Sequence, residues 1–212
     1  MSSTLHYVFD PLCGWCYGAS ATVAALVDAA DVELRLMPSG LFQDDGARAM
    51  DEAFAAYAWS NDQRIERLTG QRFTQRYRDQ VLADRARKFD SGPATLALTA
   101  VSLTVPEREV EALKAIQQAR YIEGMDITRI DVLVATLDSL GLTEAARTLQ
   151  GDDRALQAAA DSRVAQAQAL MRRVGAQGVP AFVLASGDRL ALLRANAAYS
   201  DPSAFLAQLA AA

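Results

Sequence analysis

Cysteine is nearly missing from this chain of 212 residues: there are two, Cys13 and Cys16. Histidine occurs once, at His6, and lysine only at Lys88 and Lys114. A disulfide-stapled framework needs more cysteines than this. A closed zinc site needs four ligands, and two thiolates with one imidazole fall short unless two subunits share the site, so no metal is expected. No apolar run approaches the roughly 18 residues of a membrane span. No fixed-period repeat is present, which argues against a solenoid. Positive charge is in deficit, and the net charge of −5 argues against nucleic acid or an anionic membrane as a partner. Met1-Ser2-Ser3-Thr4 shows no basic region, apolar stretch or cleavage site, so a cytoplasmic location is expected. Apolar sequence is what the chain has in quantity, at 51%, enough for a substantial core.

The two cysteines stand three apart in Cys13-Gly14-Trp15-Cys16, directly after the β-like run Leu5–Phe9 and before a helix-like run. A helix start leaves backbone N–H groups unpaired and carries partial positive charge. A thiolate there is stabilised, which makes Cys13 the expected exposed nucleophile. Residues i and i+3 are neighbours on a helix, so Cys16 can bond Cys13 with little backbone movement and resolve a mixed disulfide. Gly14 is expected to keep the entrance to Cys13 open, and Trp15 to offer an apolar face for a substrate.

Leu5–Phe9 reads as a buried strand ended by Asp10-Pro11. Ala19, Val23, Leu26, Val27 and Ala30 follow at helical spacing. Val32–Met37 alternates at period two and stops at Pro38-Ser39-Gly40. This is a βαβ unit with parallel strands. From Ala47 to Gln150 strand signals fade, and helices are expected over 47–60, 62–68, 74–82, 93–103, 107–123, 127–140 and 143–149. Tyr57-Ala58-Trp59 reads as packing, and the charge-rich stretch 72–88 as a solvated helical face. Asp152-Asp153 opens a further helix with apolar residues Leu156, Ala160, Val164, Ala167, Met171 and Val174 on one stripe. Val179-Pro180 then leads into a strand through Leu184, a turn at Gly187-Asp188, a strand at 190–193, and a last helix after Asp201-Pro202.

This order resembles the thioredoxin superfamily, and within it the DsbA-like group that carries a helical insertion. The stretch Phe9-Asp10-Pro11-Leu12-Cys13-Gly14-Trp15-Cys16-Tyr17-Gly18 is most similar to the cytoplasmic FrnE-like, predicted protein-disulfide isomerase branch. The resemblance implies an α/β thioredoxin-like fold with a mixed four-stranded sheet. Its domain would comprise 1–45 and 151–212, interrupted by an all-helical insertion over 46–150. It implies Cys13 as nucleophile, Cys16 as resolving thiol, and a cis bond between Val179 and Pro180. That bond would leave the backbone of Val179 facing the dithiol, where an extended substrate could pair. Trp15, Val179 and Pro180 would line the groove. Asp10 is the nearest acid for tuning the thiols, though no motif fixes it. The central dipeptide Gly-Trp differs from the Gly-Pro of thioredoxin and the Pro-His of DsbA, which leaves the direction of electron flow open.

The expected function is thiol–disulfide oxidoreduction, with a protein or small-molecule disulfide as substrate. Electrons would pass to or from glutathione or a thioredoxin-type carrier. No bound cofactor is required, and glutathione would serve as a co-substrate. The alternative is a glutathione-dependent transferase or isomerase of the kappa and hydroxychromene-carboxylate isomerase type. The second cysteine argues against it, because that chemistry needs no resolving thiol.

Overall fold

The computed structural model describes residues 3–27, 32–151 and 154–210. Ala30 of the first helical stripe and the expected helix start at Asp152-Asp153 lie outside the described residues, as do Met1 and Ser2. A four-stranded mixed sheet is built from the two ends of the chain. Strand β1 (Ser3–Phe9) is central, and β2 (Val32–Pro38) runs parallel to it. On its other side lies antiparallel β5 (Ala181–Ser186), and β6 (Arg189–Leu192) pairs antiparallel at the edge, giving the order β2-β1-β5-β6. The β5–β6 turn uses Gly187 at φ 57°, a left-handed conformation that glycine adopts without a Cβ penalty. β1 is buried on both faces because helices cover the sheet. Tyr7 stacks on Phe182 at 5.0 Å, and Phe182 packs on Phe205 at 4.6 Å. Burying each such ring contributes about 2–3 kcal/mol.

Behind β1 the chain forms α1 (Gly14–Gly18) and α2 (Ser20–Val27), which meet at Ala19. One unbroken helix was expected; Gly18 and Ser20 flank the interruption, a pairing that weakens helices locally. Between β2 and β5 come β3 (Arg48–Ala49), α3 (Glu52–Thr69), α4 (Gln75–Tyr77), a π-helical turn at Arg78–Leu82, and β4 (Lys88–Phe89). Then follow α5 (Gly92–Thr104), α6 (Glu109–Tyr121), α7 (Ile130–Ser139), α8 (Thr143–Gln150) and α9 (Arg154–Val174). The chain closes with α10 (Ala197–Ser200) and α11 (Pro202–Ala210).

Expectations for this middle region need correction at several points. It is not purely helical, since β3 and β4 form a small antiparallel ladder. Asp51 caps α3, its carboxylate accepting the Phe54 N–H at 2.7 Å. A cap residue has extended backbone, so the helix cannot begin at Ala47. No break follows Ser60: α3 runs through it to Thr69, and the Asn61 side-chain amide donates to the Tyr57 carbonyl at 3.0 Å. The stretch 72–88 is solvated on its charged side, where Arg72, Arg76, Arg78, Asp79, Arg85, Arg87 and Lys88 are exposed, but its other side is core, formed by Phe73, Tyr77, Val81 and Leu82. Tyr57, expected to pack, is exposed.

The middle region and the sheet share one apolar core. Tyr121 at the end of α6 stacks on Tyr17 at 4.7 Å and meets Phe73 and Tyr77 edge-on. Its hydroxyl donates to the Leu12 carbonyl at 2.7 Å, one residue before the dithiol. Tyr121→Phe would leave that carbonyl without its partner. We expect a loss of about 1–3 kcal/mol in stability, read as a lower denaturant midpoint with unchanged slope.

Candidate active site

The site forms where β1 ends and β5 begins. Those two strands are antiparallel, with Val8 opposite Ala181. The residues after Phe9 and the residues before Ala181 therefore emerge at the same end of the sheet. Cys13 is the N-cap of α1, with extended backbone at φ −80° and ψ 117°. Its N–H donates to the Asp10 carbonyl at 3.0 Å, and its own carbonyl accepts from Tyr17 at 3.0 Å. Its Sγ lies 3.9 Å from the carbonyl oxygen of Val179, and the Val179–Pro180 peptide is cis. Cys16 sits one turn further in, fully enclosed, with its carbonyl accepting from the Tyr7 hydroxyl at 3.1 Å. Burial, and next the adjacent Cys13, push the Cys16 thiol well above the usual range. Both cysteines are free thiols. Among the described residues no group of three or more His, Cys, Asp or Glu side chains is placed to hold a metal.

Cys13 departs from expectation in its exposure. Only 6% of its surface is accessible, because Val179 lies over it and the Tyr121 aromatic layer backs the turn. Trp15 is partly buried; its ring meets Tyr199 edge-on at 5.1 Å, and the Arg64 guanidinium stands 5.7 Å from its centroid. Asp10 is wholly buried, and its carboxylate accepts from Leu12 N–H (2.9 Å), Phe42 N–H (3.1 Å) and the Ser91 hydroxyl (2.7 Å). Burial raises its pKa, and these donors partly offset the rise. Asp10 thus ties the end of β1 to the segment after β2 and to the start of α5. His6 lies away from the dithiol, opposite Arg35 on β2.

Sequence reasoning missed a second buried acid, Asp62 on α3. Gly14 and Gly18 share one face of α1, and α3 packs against that face. A Cβ on Gly14 would stand 2.5 Å from Asp62 Oδ1, and one on Gly18 would stand 2.7 Å from Ile65 Cγ2. Gly14 therefore admits the approach of α3 rather than clearing the entrance to Cys13. Asp62 Oδ2 accepts from the Tyr77 hydroxyl at 3.0 Å. Behind them Arg120, itself buried, has its guanidinium 5.4 Å from the Tyr77 ring centroid and 4.9 Å from that of Phe89. Burial lifts the Asp62 pKa to about 7, against smaller opposing effects of the Tyr77 bond and the Arg120 charge. In sequence Asp62 read only as the start of a short helix. No local pattern marks a partner supplied by packing.

A family model described as the DSBA-like thioredoxin domain matches residues 4–198. The chain belongs to the DsbA-like thioredoxin family, a class of thiol–disulfide oxidoreductases. Among solved structures it is similar to the cytosolic disulfide reductase DsbM from Pseudomonas aeruginosa. The two are 35% identical over 99% of this chain and 100% of that one, with a TM-score of 0.87. The same enzyme with GSH superposes at a TM-score of 0.84, with 33% identity over 99% of this chain and 100% of the other. A candidate protein disulfide isomerase from Nitrosomonas europaea is 24% identical over 99% of both chains, with a TM-score of 0.77, a likeness of fold. No curated protein matches the chain by sequence. Among the described residues no helix is long and apolar enough to cross a membrane.

Asp62 provides a test by pH. Its carboxyl keeps a proton up to about pH 7 when folded, against an ordinary value of 3.8. The folded state thus binds the proton more tightly, and the associated stability is present below pH 4 and lost as pH rises through 7. Asn at this position stays neutral and still accepts the Tyr77 bond. Between pH 4 and 7 the stability difference should move in favour of Asp62→Asn by a few kcal/mol, roughly. Chemical denaturation of both proteins across that range checks it; parallel curves would contradict a buried, titrating Asp62.

Proposed function

We propose that the Cys13–Cys16 pair is the redox centre of a thiol–disulfide oxidoreductase that exchanges with glutathione. The observation that carries this reading is the 3.9 Å approach of Cys13 Sγ to the Val179 carbonyl beside Pro180, with Cys16 one helical turn away. A substrate disulfide entering beside Val179 meets the outer sulfur. The Cys13 thiolate attacks it, one substrate sulfur leaves as a thiolate that takes up a proton, and a mixed disulfide forms. Cys16 gives up its proton and attacks Cys13 Sγ. The second substrate sulfur then leaves, and a Cys13–Cys16 disulfide remains. Two glutathione thiols restore the dithiol and depart as glutathione disulfide, so electrons and protons balance.

The raised pKa of Cys16 suits this order. A resolving thiol that stays protonated until the mixed disulfide forms does not compete for the incoming substrate. Trp15, Val179 and Pro180 line the approach. Asp10 fixes the turn that carries Cys13; toward Cys16 its backbone lowers the thiol pKa and its charge, the smaller effect, raises it. Support for glutathione comes from DsbM, whose structure with GSH is similar over nearly the whole chain. That enzyme is described as cytosolic, and a reducing cytoplasm is the compartment proposed here. The chain is read as a thioredoxin-like domain over 1–45 and 151–212 with an insertion over 46–150, in keeping with a sheet drawn from both ends.

Cys16→Ser tests the mechanism. It should halt exchange at a mixed disulfide, with mass spectrometry showing one glutathione on Cys13 and multiple turnover reduced at least about a hundredfold. Full turnover in this variant would favour the transferase alternative. Cys13→Ser should abolish adduct formation.

A further inference from the structure

We propose that Arg64 is the carboxylate receptor of this site, and that it selects a small acidic thiol or disulfide of the glutathione type. The proposal rests on the redox reading above and names the feature of the substrate that the site recognises. Trp15 stands between the two cysteines. Arg64 projects from α3 with its guanidinium 5.7 Å from the centroid of that ring, while Tyr199 braces the ring edge-on. A guanidinium held against an aromatic ring keeps N–H donors at its edge, the geometry that binds a carboxylate through two parallel hydrogen bonds.

Arg64 is exposed, and among the described residues it forms no ion pair. Some surface arginines do, such as Arg35 with Glu33 and Arg76 with Glu123, while others, among them Arg48 over Phe54 and Arg78 over Trp59, do not; what sets Arg64 apart is that its ring is Trp15, between the two cysteines. The neighbouring acids of α3 are engaged elsewhere. Asp62 is turned inward to Tyr77 and Gly14, and Glu66 accepts the Phe73 N–H at 3.1 Å. A cation without an ion-pair partner thus stands over the ring of Trp15, the residue between the two cysteines, on a chain whose net charge of −5 otherwise repels anions. Glutathione carries a carboxylate at each end, on either side of its sulfur. With that sulfur at Cys13, one carboxylate can turn toward α3.

The test is the single-turnover oxidation of the reduced protein by three disulfides, with rate followed against concentration to separate binding from the maximal rate. Glutathione disulfide carries carboxylates, 2-hydroxyethyl disulfide is neutral, and insulin is a protein substrate. Arg64→Ala should weaken half-saturation by glutathione disulfide about tenfold with little change in the maximal rate. It should leave the neutral disulfide and insulin within about twofold, and Arg64→Lys should recover part of the loss. An equal effect on glutathione disulfide and the neutral disulfide would mean that Arg64 acts by packing on Trp15, and would overturn the proposal. So would unchanged binding of glutathione disulfide, or a loss confined to insulin. A wild-type protein oxidised by none of the three would instead overturn the redox reading itself, an outcome distinct from a failure of Arg64 alone.

Discussion

The antiparallel pairing of β1 with β5 is the constraint on which the site depends. The end of one strand and the beginning of the other are forced to the same edge of the sheet. Cys13 and Val179 are 166 residues apart in sequence, yet the register that sets Val8 opposite Ala181 leaves them no distant alternative. A register slip of one residue would put Tyr7 and Phe182 on opposite faces of the sheet and end their stacking. The stacking of Tyr7, Phe182 and Phe205 therefore fixes the alignment that brings sulfur and proline edge together. The chemistry is local, and its geometry comes from long-range packing.

The middle of the chain is bound into this edge at several points. The Asp10 carboxylate gathers donors from Leu12, Phe42 and Ser91. Tyr121 reaches back to the Leu12 carbonyl. α3 lies directly on α1 at Gly14 and Gly18. Several separate segments thus hold the turn that carries the dithiol: those at Phe42, Ser91 and Tyr121 by hydrogen bonds that cannot be removed without cost, and α3 by close packing. A covered Cys13 is the consequence. Only 6% of the Cys13 residue surface is open.

Much of this was legible in the residues. Period-two alternation at Val32–Met37, the apolar runs at Leu5–Phe9 and Ala181–Leu184, and the Gly187 turn lead to the observed strands and their order. The spacing of Cys13 and Cys16 after a strand places a dithiol at a helix start. The expected exposure of Cys13 was wrong, because accessibility is set by side chains from elsewhere in the chain. The charge-rich stretch 72–88 is solvated where its charges lie but hid a buried side for the same reason: Tyr77 is flanked by exposed Gln75, Arg76 and Arg78, yet its ring is buried and its hydroxyl serves Asp62. Asp62 carries no sequence mark, since a single acid in a polar helix looks like any solvated residue until the packing is known.

The dipeptide between the cysteines follows from that packing. Glycine at position 14 leaves the space that Asp62 fills: a methyl group there would stand 2.5 Å from Asp62 Oδ1 and force that side chain to move. Position 15 carries an indole because Tyr199 and Arg64 bracket it from the C-terminal segment and from α3. The environment of the thiols is thus written jointly by the sheet, which delivers the two sulfurs, and by the helices between its halves, which determine what can stand between them. In this arrangement the middle region shapes the surroundings of both thiols. An exchange of the Gly-Trp pair for the dipeptide of a relative, without the matching α3 face, would replace a fitted contact with a collision at Asp62.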